Sequence, residues 1–313
     1  MAKNQITIEQ YIGFEKKKMV GEKKKIPVAK ILAFIFLAIF CVFWVSPLVI
    51  LLFGSLRGSE DFIQYPKQLF DPPHGYTLEN FEILFGLKVN EGVHNLAEYP
   101  IGNWVANSFI VAIGGTLLYL IVASFAAYAF TFIPFRFSNL LFAILVASMV
   151  IPGAATSVGN LTNVISWKLN STLLALVIPG LGGVYGMYLI KTFFTSIPKD
   201  LIESAKMDGY NNFKIYLKIV LPLGKTVLFV QGLFGFMGSW NDLVWPQMLY
   251  GVKDNKLWTL QVGMAYLVNN SKSLDTIGTG LAGGVIAILP VFVVYMIAQN
   301  KIIEGMASAG IKG

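Results

Sequence analysis

Between Ile31 and Phe53 the chain runs for 23 residues without a charged side chain. As a helix rising 1.5 Å per residue that stretch spans about 35 Å, enough to cross the roughly 30 Å hydrocarbon layer of a bilayer. Backbone groups in hydrocarbon must satisfy one another, so a stretch of this kind is predicted as a helix. Similar runs follow at Phe109 to Phe132, Phe137 to Trp167 (its apolar part Leu140 to Ala155), Leu173 to Ile190, Thr226 to Trp240 and Leu281 to Gln299. The fifth is the shortest, with Lys225 at its edge placed to snorkel to the interface. Composition agrees: 55% of residues are hydrophobic and 13% charged, against about 25% charged in a typical soluble domain. The fold expected is therefore all-α, a polytopic membrane protein with about six transmembrane helices.

The distribution of Lys and Arg sets the orientation. With the N-terminus cytoplasmic, the inside segments are 1–30, the turn at Arg136, 191–225 and the C-terminal tail. They carry 17 of the 24 basic residues. The long loop from Gly54 to Asn103 has three basic and seven acidic residues and falls outside. Both termini are thus expected on the cytoplasmic side of a cell (plasma or inner) membrane. The domains are a Lys-rich segment, 1–30, and one transmembrane domain, 31–313, with an outer loop at about 54–103 and a cytoplasmic loop at about 191–225. The clusters Lys16 to Lys18 and Lys23 to Lys25 are topology anchors that also touch anionic membrane lipid. The net charge of +7 is explained by this bias and gives no reason to expect nucleic acid as a partner. Gly54-Ser55-Leu56-Arg57 stands where a cleavable signal peptide would have small residues.

Several kinds of chemistry find no support. Two histidines and one cysteine do not make a metal cluster or an intrachain disulfide, and His74 and His94 both fall in the outer loop. No span contains a Ser/His/Asp set or a central acid of the sort proton-coupled carriers use. Leu223-Gly224-Lys225-Thr226 imitates the end of a phosphate-binding loop, but Ile219 stands where that loop needs a glycine. The Gly278 to Gly284 stretch is better explained by close helix packing. Asp71-Pro72-Pro73-His74-Gly75 marks a turn in the outer loop.

The informative segment is Ser196 to Pro222, on the cytoplasmic side. Ser196 is suited to cap a helix and Pro198 to its first turn. Asp200 and Glu203 sit near its positive end. Leu201, Ile202 and Ala205 form a short apolar stripe, and Gly209 suits a left-handed stop. A second helix restarts near Asn211 or Asn212. An amphipathic helix of about 199–208, roughly 15 Å long, thus projects from the membrane and turns back.

These residues, Glu203-Ser204-Ala205, Asp208-Gly209 and Ile219-Val220-Leu221-Pro222, resemble the EAA signature of permease subunits in ABC importers, E-A-A-x-x-x-G followed by I-x-L-P. The chain departs from it at Ser204, where alanine is usual. Asn107-Ser108, Ile151-Pro152, Trp240-Asn241-Asp242, Trp245-Pro246 and the tail from Gln299-Asn300-Lys301 to Gly310-Ile311-Lys312-Gly313 are similar to carbohydrate-uptake permeases. The resemblance covers about residues 30 to 313 and is closest to the second permease of maltose-type transporters. It implies a sugar or oligosaccharide as substrate and a heterodimer with a second permease subunit. It also implies two cytoplasmic ATPase subunits that bind ATP and Mg, and an external solute-binding protein. No cofactor is expected on this chain, which is not itself an enzyme. The coupling element implied is Leu201, Ile202, Glu203, Ser204, Ala205, Asp208 and Gly209, with the apolar stripe filling a cleft of an ATPase and Glu203 accepting a charge-assisted bond.

Sugar sites mix aromatic faces with amides and carboxylates, which makes Asn160, Asn163, Trp167, Trp240 and Asn241 candidates for a substrate path. Tryptophans at span ends also serve as interface anchors. Other readings are an ATP-independent carrier or channel, a polytopic membrane enzyme or, among ABC importers, a non-sugar substrate.

Overall fold

The computed structural model describes residues 28–88, 101–251, 255–270 and 277–310. Residues 1–27 of the Lys-rich head, His94 and the last three residues lie outside that set. Among the described residues there is no strand, only an isolated bridge between Arg57 and Tyr76.

The first helix, α1 (Val28–Ser55), is apolar all round. Large side chains such as Phe34, Phe36, Val42 and Phe43 are exposed along it. Two short helices, α2 (Ser59–Gln64) and α3 (Glu79–Leu84), shape the outer loop. The central span is α4 (Ile101–Phe132), a 32-residue helix with one π-helical turn at Ile110–Gly114.

Three expected spans are bent rather than straight. α5 (Ser138–Ser148) and α6 (Gly153–Ser166) meet at 104°. The cause is Pro152, held extended at ψ 136°, which has no N–H to continue a helix and disfavours helical backbone before it. α5 alone rises only about 16 Å, so the run read as one span from Phe137 is a broken one. α7 (Leu174–Gly182) and α8 (Val184–Thr195) bend by 48° at Gly183. Beyond the short helix α9 (Lys199–Met207), α10 (Asn212–Leu223) and α11 (Lys225–Trp240) meet at 78°. Pro222 and Gly224 make that break. At Gly224 the Phe194 ring packs so closely that a Cβ would lie 2.6 Å from it. The chain closes with α12 (Val244–Tyr250), α13 (Leu260–Asn270) and α14 (Ile277–Gly310). Counting each bent pair once gives up to six spans.

α4 packs against α7, α8 and α11, and two cores form along it. The outer core joins Ile101, Trp104 and Val111 of α4 to Leu176, Trp240, Trp258, Leu260 and Ala282. The Trp104 indole donates to the Asn255 carbonyl at 2.6 Å, and Ser108 accepts from the Leu260 N–H at 2.8 Å. The inner core joins Ala127 and Tyr128 to Ile190, Phe194, Ile202, Ala205, Ile215 and Val220. The glycines opening α14 are packing positions: a Cβ at Gly278 would collide with Asn80, and one at Gly283 with Met264.

The outer loop is knitted around a buried arginine. Arg57 donates through Nη2 to the carbonyls of Asp61 (2.7 Å) and Tyr65 (2.8 Å) and lies over the Phe62 ring. Buried Asn80 donates to the Ser55 carbonyl at 2.9 Å. The expected turn closes with the Gly75 N–H donating to the Pro72 carbonyl at 2.9 Å, Gly75 at φ +78°. His74 is not a bare solvated side chain, because its Nδ1 lies 2.7 Å from Oδ1 of buried Asp61. That hydrogen bond, and then the Asp61 charge, raise the imidazole above its ordinary value of 6.5. A raised folded-state pKa gives stability that is fully present below about pH 6.5 and is lost as pH rises through the folded value. The detergent-solubilised protein should therefore melt at a lower temperature at pH 8.5 than at pH 6, and His74→Gln should flatten that difference. An equally steep profile in the variant would contradict the pairing.

Candidate functional site

The segment from Ser196 to Gly209 folds as a helix held on one face and exposed on the other. Its start differs from expectation. The N-cap is Pro198, with no side-chain cap, and the Ser196 hydroxyl instead donates to the Phe193 carbonyl at 2.7 Å, closing the end of α8. α9 runs over Lys199–Met207, with Asp200 in its first turn and Lys206 in its last, both favourable to the helix dipole. It ends in a Schellman motif: Gly209 N–H donates to the Lys206 carbonyl and Tyr210 N–H to the Ala205 carbonyl, each at 3.0 Å. Gly209 has φ +79° with open space around it, so its backbone dihedral and not crowding requires glycine. The Asn211 side chain accepts from the Lys214 N–H at 2.8 Å and starts α10 as its N-cap. The Lys214 ammonium lies 4.0 Å from the centre of the Tyr210 ring.

Two of the three residues of the apolar stripe, Ile202 and Ala205, face inward, while Leu201 is 47% exposed. Ile202 and Ala205 are buried in the inner core, so they seat α9 on its own chain and are not free to fill a partner's cleft. The physical reason is proximity: the stripe lies over the ends of α4 and α8, which bury it first. The outward face carries Asp200, Leu201, Glu203, Ser204 and Asp208. It also carries Met207, 88% exposed and absent from the sequence-based set. The helical period identifies it, since positions 202 and 205 define the inner side and 207 lies nearly opposite.

Of the five path candidates, three lie on or at the end of α6 and two at the end of α11. Asn160 is half-buried on α6, and Asn163 and Trp167 are exposed at its end. Asn241 is exposed and donates to the Met237 carbonyl at 2.9 Å. Trp240 is a packing residue: it is 1% exposed, lies against Phe109 and Phe236, and donates to the Ala287 carbonyl at 2.9 Å. Leu223 to Thr226, the phosphate-loop imitation, is the bend between α10 and α11.

A cavity of about 330 Å³ opens among α4, α7, α8 and α11. Its polar groups are Thr116, Tyr119, Tyr185, Gln231 and Ser239, and its walls are rich in glycine. A Cβ at Gly186 would overlap the Tyr119 hydroxyl and lie 2.8 Å from Gln231 Oε1, so the missing side chain there is what lets those two polar groups converge. Thr116 and Gln231 sit in uncharged spans and carry no motif that marks them in the sequence.

Among the described residues the fold is helical, with up to six segments long and apolar enough to cross a bilayer and a short helix between two of them, the architecture of a polytopic membrane protein. The chain belongs to the binding-protein-dependent transport system inner membrane component family, whose pattern it matches over residues 119–306. It is therefore a multi-pass transport component of the membrane. It is 26% identical to the arabinooligosaccharides transport system permease protein AraQ of Halalkalibacterium halodurans over 90% of this chain and 95% of that one. To the maltodextrin transport system permease protein MdxG of Bacillus subtilis it is 25% identical, over 91% of this chain and 96% of that one. The fold matches a chain in the crystal structure of a bacterial ABC transporter that imports the acidic polysaccharide alginate. The TM-score is 0.73 at 20% identity, over 89% of this chain and 98% of that one.

Replacing Gly209 by alanine leaves room for the methyl but forces a left-handed dihedral on it, at about 1 kcal/mol. Amide hydrogen exchange should then quicken roughly fivefold at the end of α9 and stay unchanged in α4. No change at α9 would show that the Schellman turn does not hold this helix.

Proposed function

We propose that this chain is one of two permease subunits of an ATP-driven importer of a sugar or oligosaccharide. An external solute-binding protein delivers the substrate, and two cytoplasmic ATPase subunits bind ATP and Mg and hydrolyse the nucleotide. Both termini and the 191–225 segment are cytoplasmic, in keeping with the basic-residue bias. The observation that carries this reading is α9: a helix closed at its C-terminal end by a Schellman turn and seated by Ile202 and Ala205 on the membrane core, that offers Glu203, Ser204 and Met207 outward. Such an element passes a push from a cytoplasmic partner to the spans as a rigid body. Glu203 supplies charge and Met207 an adaptable apolar contact. Sugar as the substrate class is supported by the names of the relatives above. The path is formed with the second permease, with Asn160, Asn163, Trp167 and Asn241 as side chains available to it.

Two substitutions separate this from a passive interfacial helix. Glu203→Lys reverses the charge offered to the ATPase. If that pair is desolvated in the complex, losing it costs about 2–5 kcal/mol of association. Gly209→Pro locks φ near −65° where the chain needs +79°. Both variants should insert normally, recover little ATPase in pull-downs and transport at under a tenth of the wild-type rate. A membrane-impermeant thiol reagent should not reach Ser204→Cys from outside intact cells. Wild-type uptake and ATPase recovery in both variants would refute the coupling role, and external labelling would refute the orientation.

A further inference from the structure

A second opening between α4 and α11 is a groove of about 450 Å³. It uses a different face of α11 from the cavity: Leu228, Phe229, Gly232 and Phe236 line the groove, whereas Gln231, Phe234 and Gly238 line the cavity. A Cβ at Gly232 would lie 3.3 Å from Leu120 Cδ1, so the bare backbone there lets the two helices draw together along the groove. Its rim is open, with Ile113 49% and Leu117 57% exposed. Apart from buried Thr116 and from Lys225, every lining residue is apolar or glycine. A sugar or other polar solute would lose its water there without finding partners.

Lys225 is the one charged residue that lines the groove. It begins α11, is exposed, and has no ion-pair partner among the described residues. From Lys225 to Phe236 the helix rises about 16 Å, close to half of the roughly 30 Å hydrocarbon layer. The groove therefore has the depth of one leaflet, with its charge at the level of the headgroups, where a lysine stem snorkels. The surrounding charge has one sign. Between Gly209 and Asn241 the chain carries Lys214, Lys218 and Lys225 and no Asp or Glu, and all three lysines are exposed. A phosphate held there meets a cation, and an apolar chain below it gains close packing. We infer that the groove is a site for an anionic phospholipid of the inner leaflet, one acyl chain lying between α4 and α11 and the headgroup phosphate resting on Lys225. The choice of leaflet rests on the orientation proposed above.

The test uses the chain assembled with its second permease and ATPase subunits in nanodiscs of phosphatidylcholine. Two probes are compared, phosphatidylglycerol and phosphatidylcholine, each carrying a diazirine in one acyl chain, and the labelled peptides are read by mass spectrometry. Phosphatidylglycerol should label α4 between Ile113 and Leu120 and α11 between Leu228 and Phe236, and more strongly than phosphatidylcholine does. Lys225→Ala should lower that labelling about fivefold, the worth of one basic residue at an anionic surface. Lys225→Arg keeps the charge and should stay within about twofold of wild type. Leu117→Trp, on the exposed rim, should lower labelling with the charge still in place. The inference is overturned if neither segment is labelled, which would give the groove to a span of the second permease. It is also overturned if both probes label the segments equally and Lys225→Ala changes nothing, the behaviour of ordinary boundary lipid. Access to Ser204→Cys judges the orientation separately. A failed lipid result beside a protected Ser204→Cys rejects the site alone, and external labelling of Ser204→Cys beside a positive lipid result rejects only the leaflet.

Discussion

Hydrocarbon offers no hydrogen-bond partner to a peptide group, and this one fact shapes nearly everything in the chain. It makes every crossing segment helical and confines irregular backbone to a few breaks, at Pro152, Gly183 and Gly224. It also changes what holds helices together. Apolar side chains gain little by leaving lipid for each other, so association depends on close fit and on a small number of bonds between helices. The fit is visible where α14 meets α13 at Gly283 and Met264. Two such bonds join Trp240 to the Ala287 carbonyl and Ser124 to Tyr216, at 2.9 and 2.8 Å.

The same constraint divides the packing into two depths. The outer core fastens the segment 255–260 to the top of α4 through Trp104, Asn107 and Ser108. The inner core fastens α9 to the other end of α4 through Ile202 and Ala205. Between them the packing opens, and the cavity occupies the gap. A rigid inner joint below and a polar opening at mid-depth suit a proposed device in which an event in the cytoplasm alters access at the centre.

Much of this was legible in residues alone, for physical reasons. Charge-free runs locate spans because a charge in hydrocarbon is costly, and Gly209 locates the end of α9 because only glycine takes φ near +79° without strain. What escaped was what depends on neighbours. The bend at Pro152 leaves an apolar run unbroken, so composition reads α5 and α6 as one span. Ile202 and Ala205 mark an apolar side, but no local rule says whether that side belongs to the chain or to a partner. Trp240 beside Asn241 has the makings of a sugar contact until the Ala287 carbonyl claims its indole. Thr116 and Gln231 carry no local signature, since only the fold brings them to one cavity.

The central claim is that α9 and the cytoplasmic end of α4 move as one piece. Spin labels at Ser204→Cys and Arg136→Cys, both exposed, in a Cys41→Ser background, measure it in the assembled complex by pulsed electron paramagnetic resonance. The account predicts that the distance between them stays constant, within about 2 Å, between the nucleotide-free and ATP-trapped states. A label on Ser204 should meanwhile change its distance to a label on the second permease. A shift of more than about 5 Å within this chain would mean that α9 swings on a hinge and that burial of Ile202 and Ala205 does not transmit the stroke.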